Sequence, residues 1–168
     1  LGVKEKVIKW QLPLSDELRS WAKQKLPEGN GPLLIINPAA SKPDRNWPAQ
    51  RYAEIIKLMH ERGVRVLLTG GPHPVEKSLI TEIKQQLDFP VSDRSGQTSP
   101  KQLAALLECA DCVLAPDTGP VHMAVAVGTP VIGLYAVAPS RLSGPYLQRS
   151  YVIDKYDEAV QLILKKDP

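Results

Sequence analysis

The string Asp117-Thr118-Gly119-Pro120-Val121-His122-Met123-Ala124 groups a carboxylate, a hydroxyl, a residue with no side chain and an imidazole. It lies where the apolar run Cys112-Val113-Leu114-Ala115 should hand over from a strand to a helix. The carboxyl end of a strand is where open α/β sheets bind ligands, and the first free N–H groups of the following helix favour phosphate. Thr118 can donate a hydroxyl hydrogen bond, Gly119 admits a ligand to the backbone, and Pro120 suits a first helical turn, where its missing N–H costs nothing. Asp117 would repel phosphate, so the chemistry that suits it is to accept hydrogen bonds from sugar hydroxyls alongside. The same residues also make an ordinary helix start, with an N-cap followed by Pro. His122 fits either a satisfied core position or a ligand contact at the helix mouth, and pattern alone leaves both open.

Other polar residues fall in loops that such a sheet would gather on the same edge. The loop from Asn37 to Trp47 carries Ser41, Lys42 and Arg45 just before a helix opening at Pro48. Two cations and a hydroxyl there suit a diphosphate, although Pro43-Asp44 would equally mark a turn in a solvated loop. Glu76, shortly after Gly70-Gly71-Pro72-His73, can accept both hydrogens of a ribose diol, or simply favour a helix N-terminus. Thr98 closes the turn Gly96-Gln97-Thr98. No G-x-G-x-x-G follows a strand and no G-x-x-x-x-G-K-[ST] occurs, which counts against NAD enzymes and P-loop ATPases.

The elements that must position these residues alternate. A basic, partly extended lead-in over residues 1–14 precedes a helix opened by Ser15-Asp16-Glu17 and ending near Lys25, before Pro27 and Gly29. Strands are expected at 33–37, 64–69, 89–91, 112–115 and 131–135. Helices are expected at 48–62, 75–87, 99–109 and 119–127, with Gly63 stopping the first of these. Strand and helix in turn at this pace predict an α/β, Rossmann-like three-layer α/β/α domain with a parallel sheet. Residues 1–30 form the lead-in and first helix, and residues 31–168 the ligand-binding domain.

Composition excludes several classes. The 168 residues can bury one substantial core, and 43% hydrophobic with 23% charged residues is ordinary for a globular domain. A net charge of +3 and a single Phe offer little to nucleic acid. The longest apolar stretch, Met123 to Pro139, is broken by Gly128, Pro130 and Gly133, so no membrane span is expected and the chain is expected to be cytoplasmic. Cys109-Ala110-Asp111-Cys112 has the spacing of a metal or redox pair. It ends a helix and begins a strand, the reverse of a thioredoxin-like order, and none of His60, His73 and His122 stands near it, so both cysteines are expected to be structural and no metal site is expected.

Asp117-Thr118-Gly119-Pro120-x-His122-Met123-Ala124, with Asn37-Pro38 and Asn46-Trp47-Pro48-x-x-Arg51-Tyr52 ahead of it, resembles glycosyltransferase family 9, the ADP-heptose:lipopolysaccharide heptosyltransferases. Gly133-Leu134-Tyr135 and Ser143-Gly144-Pro145-Tyr146 are similar to that family too. The resemblance covers only the C-terminal, donor-binding half of these GT-B enzymes. It implies transfer of heptose from ADP-heptose to the lipopolysaccharide inner core, without a metal. It assigns Ser41, Arg45, Thr118 and Gly119 to the donor phosphates, and Asp117, His122, Glu76 and Thr98 to the donor sugar or nucleoside. It places the turn at Gly96-Gln97-Thr98 near adenine. The acceptor and the general base belong to the N-terminal half, so this chain alone is expected to be inactive; the full-length enzyme would work in the cytoplasm, at the inner face of the inner membrane. Two other readings are a non-catalytic nucleotide-binding module and a GT-B-like sugar-nucleotide epimerase.

Overall fold

The computed structural model describes Gly2, Trp10 and residues 12–165, so most of the expected lead-in lies outside the described residues. Ser15 opens α1 (Asp16–Gln24), its hydroxyl accepting from the Leu18 N–H. Then follow β1 (Leu33–Ile36), α2 (Ala49–Glu61), β2 (Arg65–Leu68), α3 (Pro74–Gln85), β3 (Ser92–Asp93), α4 (Pro100–Glu108), β4 (Cys112–Pro116), α5 (Gly119–Ala126) and β5 (Val131–Tyr135). A short α6 (Ser140–Ser143), β6 (Val152–Asp154) and α7 (Tyr156–Ala159) complete the series, α7 running on into a π-helical stretch over Val160–Leu164. Gly63 at φ 71 and Gly128 at φ 85 turn the chain out of α2 and α5 in a conformation that other residues adopt only with strain.

The strands lie in the order β3-β2-β1-β4-β5-β6, and every neighbouring pair is parallel. This is the doubly wound order, and its direction reverses between β1 and β4. Alternate residues of each strand serve opposite faces. Leu33, Ile35, Leu67, Val113 and Val131 pack with the residues of α4 and α5 on one face, where Leu18 and Trp21 of α1 join them. Leu34, Ile36, Val66 and Leu68 pack against Tyr52 and Ile56 of α2 and Ile80 and Ile83 of α3 on the other. The second face is roofed only in part. A trough of about 400 Å³ runs between α2 and β6, lined by Ile55, Met59, Cys112, Ile132, Leu134 and Ile153 among others.

Two expectations need correction. The third strand is found at Ser92–Asp93 instead of 89–91. Pro90 has no N–H to give a ladder, and the Phe89 ring is stacked on His60 of α2 with centroids 3.9 Å apart. Pairing with Leu67 and Leu68 therefore begins later. In addition β6 forms a sixth, edge strand beside β5; three residues with two exposed are too short to show a period.

Cys109 and Cys112 are free and half-buried. Burial pushes both thiols above their usual range, the direction opposite to the one a reactive thiolate needs. Among the described residues no three His, Cys, Asp or Glu side chains gather as a metal site would require, and no helix is long and apolar enough to cross a membrane.

Candidate functional site

The loops after β1, β2 and β3 and the start of α5 meet at the carboxyl edge of the sheet around a crevice of about 360 Å³. Asn37, Ser41, Gly71, Glu76, Thr98 and Thr118 are among its lining residues. It sits at the switch point between β1 and β4, where doubly wound sheets bind ligands. A hollow of similar size, about 370 Å³, is lined by Gly31, His60, Arg65 and Phe89 at the amino end of the strands, away from the helix N-termini that attract anions.

The loop that brings Ser41 and Arg45 to this edge is held from inside. Asn37 is buried, donates from Nδ2 to the Ala39 carbonyl and accepts at Oδ1 from the Thr69 hydroxyl. Asn46 Oδ1 accepts from the Ala40 N–H at 2.7 Å. Tyr52 is fully buried, donates to the Pro38 carbonyl and meets the Trp47 ring edge-on. Burial pushes its phenol above the usual tyrosine range. Arg51, by contrast, is exposed and pairs with Glu54 one turn on in α2. Asn37, Asn46, Trp47 and Tyr52 therefore shape the loop, leaving Ser41 and Arg45 as its chemistry.

At the mouth of α5, Thr118 occupies the N-cap position with φ −154° and ψ 163°, yet no side chain caps the helix. The capping account of Asp117-Thr118 is thus not realised. Asp117 lies with only 8% of its side chain exposed and faces Arg45, whose guanidinium Nη1 stands 2.9 Å from Asp117 Oδ2. The same nitrogen donates to the Asp117 carbonyl at 3.4 Å. The contact to Oδ2 has the distance of an ion pair without the angles of a hydrogen bond. Asp117 Oδ2 is buried with no hydrogen-bond partner among the described residues, and so is Arg45 Nε.

The remaining candidates divide. Ser41, Glu76, Thr98 and Thr118 line one crevice, and Gly119 is exposed at its rim with open space where a Cβ would stand. Glu76 spends one oxygen, Oε2, on the Gly71 N–H at 2.6 Å, so it braces the turn whose backbone it shares the crevice with. His122 is half-buried one turn into α5 and does not line the crevice. Arg141, Arg149 and Lys155 are engaged locally, with Asp157, the Tyr146 ring and Glu158.

Tyr135 was not anticipated as a neighbour of the site. It ends β5, beside β4, and its phenol is pushed up by burial and by the Asp117 carboxylate, with Arg45 opposing. Its hydroxyl donates to the Ser143 carbonyl at 3.2 Å. The available signal was a polar-tipped residue at the carboxyl end of a strand, the same signal that singled out Asp117.

This order of strands with its crevice at the switch point defines a doubly wound α/β domain of the ligand-binding kind. The model of glycosyltransferase family 9 (heptosyltransferase) matches residues 1–165, and the chain belongs to that family. It is 34% identical over 161 residues to the lipopolysaccharide core heptosyltransferase OpsX of Haemophilus influenzae, an alignment that covers 96% of this chain and 46% of that protein. The chain thus spans about half the length of this relative. Among solved structures, a glycosyltransferase of family 9 from Veillonella parvula matches with a TM-score of 0.78 at 21% identity, covering 92% of this chain and 46% of that one. Escherichia coli heptosyltransferase WaaC with ADP matches with a TM-score of 0.69 at 21% identity, covering 98% of this chain and 52% of that one.

Proposed function

We propose that this chain is the donor-binding half of a two-domain heptosyltransferase, taking ADP-heptose in the crevice at the β1–β4 switch point. The observation that carries the reading is the uncapped start of α5 at Thr118, which lines one crevice with Ser41, while Gly119 stands exposed beside it and Arg45 meets Asp117 just ahead of the helix. Support comes from the family match and from a structural neighbour that was solved with ADP. As the bond to the anomeric carbon breaks, charge builds on the departing diphosphate. Preorganised donors stabilise that charge: here the Arg45 guanidinium, the Ser41 hydroxyl and the Thr118 and Gly119 N–H groups. Glu76 and Thr98, which line the crevice, take the nucleoside; Asp117, held against Arg45, takes the sugar, and His122, which does not line the crevice, is given no direct contact. The acceptor, the lipopolysaccharide inner core, and the base that activates its hydroxyl belong to the other half of the enzyme, which works in the cytoplasm at the inner membrane.

Calorimetric titration with ADP, UDP and NAD tests this. ADP binding without added metal, weakened at least tenfold in Arg45→Ala, is the expected result. A preference for UDP would turn the reading toward an epimerase or another transferase, and binding of none of the three would sink it. Purified chain is expected to transfer no heptose, since binding alone does not assemble the reacting groups.

A further inference from the structure

We infer that the Arg45–Asp117 pair is a latch that couples the diphosphate subsite to the sugar subsite. This inference rests on the nucleotide-sugar reading above. Arg45 is the residue assigned to phosphate and Asp117 the one assigned to sugar hydroxyls, and the structure puts them on each other. They come from segments 72 positions apart, the loop after β1 and the end of β4, so the contact is made by the fold and not by local sequence.

The geometry shows an interaction that is close in distance and incomplete in hydrogen bonding. Among the described residues, Asp117 Oδ2 and Arg45 Nε are shut away from solvent without hydrogen bonds, as is Ser143 Oγ in α6. The adjacent phenol cannot complete Asp117, because its hydrogen goes to the Ser143 carbonyl. Buried groups in this condition favour exchange for better partners. A diphosphate offers Arg45 a bidentate acceptor, and sugar hydroxyls offer Asp117 the donors it lacks.

The two exchanges are not independent. A diphosphate that draws Arg45 away leaves the Asp117 carboxylate buried and bare beside an anion, a cost that a nucleotide without its sugar never recovers. A nucleotide-sugar recovers it through hydroxyls placed on Asp117. The latch therefore penalises ADP relative to ADP-heptose, and after transfer it recaptures Arg45 and speeds the departure of ADP. The apparent affinity of a site falls with the fraction of molecules in which its binding group is released. Removing the competing charge should raise ADP affinity accordingly.

The test is a double-mutant cycle read by calorimetry on the 168-residue chain, using ADP and ADP-heptose on wild type, Asp117→Asn, Arg45→Gln and the double variant. We expect Asp117→Asn to bind ADP about tenfold more tightly, with the preference for ADP-heptose over ADP shrinking to match. That gain should vanish when Arg45→Gln is also present. Where Asp117→Asn does not melt cooperatively, Asp117→Ser takes its place in the cycle. If ADP binds wild type and is weakened by Arg45→Gln, yet Asp117→Asn binds it equally or less tightly, the latch is overturned and the nucleotide site stands. If none of the folded variants binds either ligand, both are overturned together.

Discussion

Helices α4 and α5 both begin beside the crevice after a residue that caps helices well, and they use their starts in opposite ways. Ser99 makes a full capping box: its hydroxyl accepts from the Gln102 N–H, and the Gln102 side chain accepts from the Ser99 N–H. The turn ahead of it is equally closed, Asp93 taking hydrogen bonds from the Ser95 N–H, the Ser95 hydroxyl and Lys84. Thr118 makes no such bond, and the acid before it faces a distant arginine. A helix start whose donors are spent on its own side chains is structural; α2 also lacks a side-chain cap, but the open start of α5 lies on the crevice at the carboxyl edge of the sheet, where a ligand's acceptors fit.

Substitutions can break or sharpen this contrast. The largest effect is expected at the anchor of the loop that carries Arg45 to α5. Tyr52→Ala removes a fully buried ring and its bond to Pro38, and should destabilise the fold by about 3–5 kcal/mol in urea unfolding; a loss below about 1 kcal/mol would mean the loop is held elsewhere. Ser99→Ala should cost about 1 kcal/mol, the value of a working N-cap. The same change at Thr118 should cost less than about 0.5 kcal/mol, since its hydroxyl caps nothing. Equal stability losses at the two positions would erase the contrast.

A smaller effect follows from Asp93. Burial raises its carboxyl, but the bonds from Ser95 and the Lys84 ammonium outweigh that and hold it below the usual aspartate range. A folded value below the unfolded one means stabilisation present above about pH 4 and lost as pH falls through the lower folded value. Asp93→Asn should therefore cost about 1 kcal/mol or less at pH 7. The gap from wild type should narrow steadily in unfolding curves taken below about pH 4, and a gap that widened on acidification would refute the assignment.

Much of the fold is legible in the order of residues because apolar runs and breakers come in alternation. Val131 to Tyr135 reads as a strand from its pattern and is one, and Gly63 ends α2 where a positive φ is required. Strands of two or three residues are not legible in that way: β3 and β6 are set by what their neighbours offer for pairing, and Pro90 moves the first of them. The site divides similarly. Asp117 and Ser41 can be found from position, since loop residues at strand ends share an edge of the sheet. The Arg45–Asp117 contact cannot, because no local period relates a loop after β1 to the end of β4. Nor does spacing reveal that Asn37, Asn46 and Tyr52 serve the loop's own backbone; that appears only once their bonds to Ala39, Ala40 and Pro38 are seen.

The half-roofed face of the sheet bears on how this chain will behave in a tube. Ile132, Leu134 and Ile153 line a surface that a complete three-layer sandwich would cover. A hydrophobic dye is expected to bind this trough in the folded protein, while melting stays cooperative. A single polar replacement at Ile153, which is half exposed already, should weaken that binding without touching the crevice.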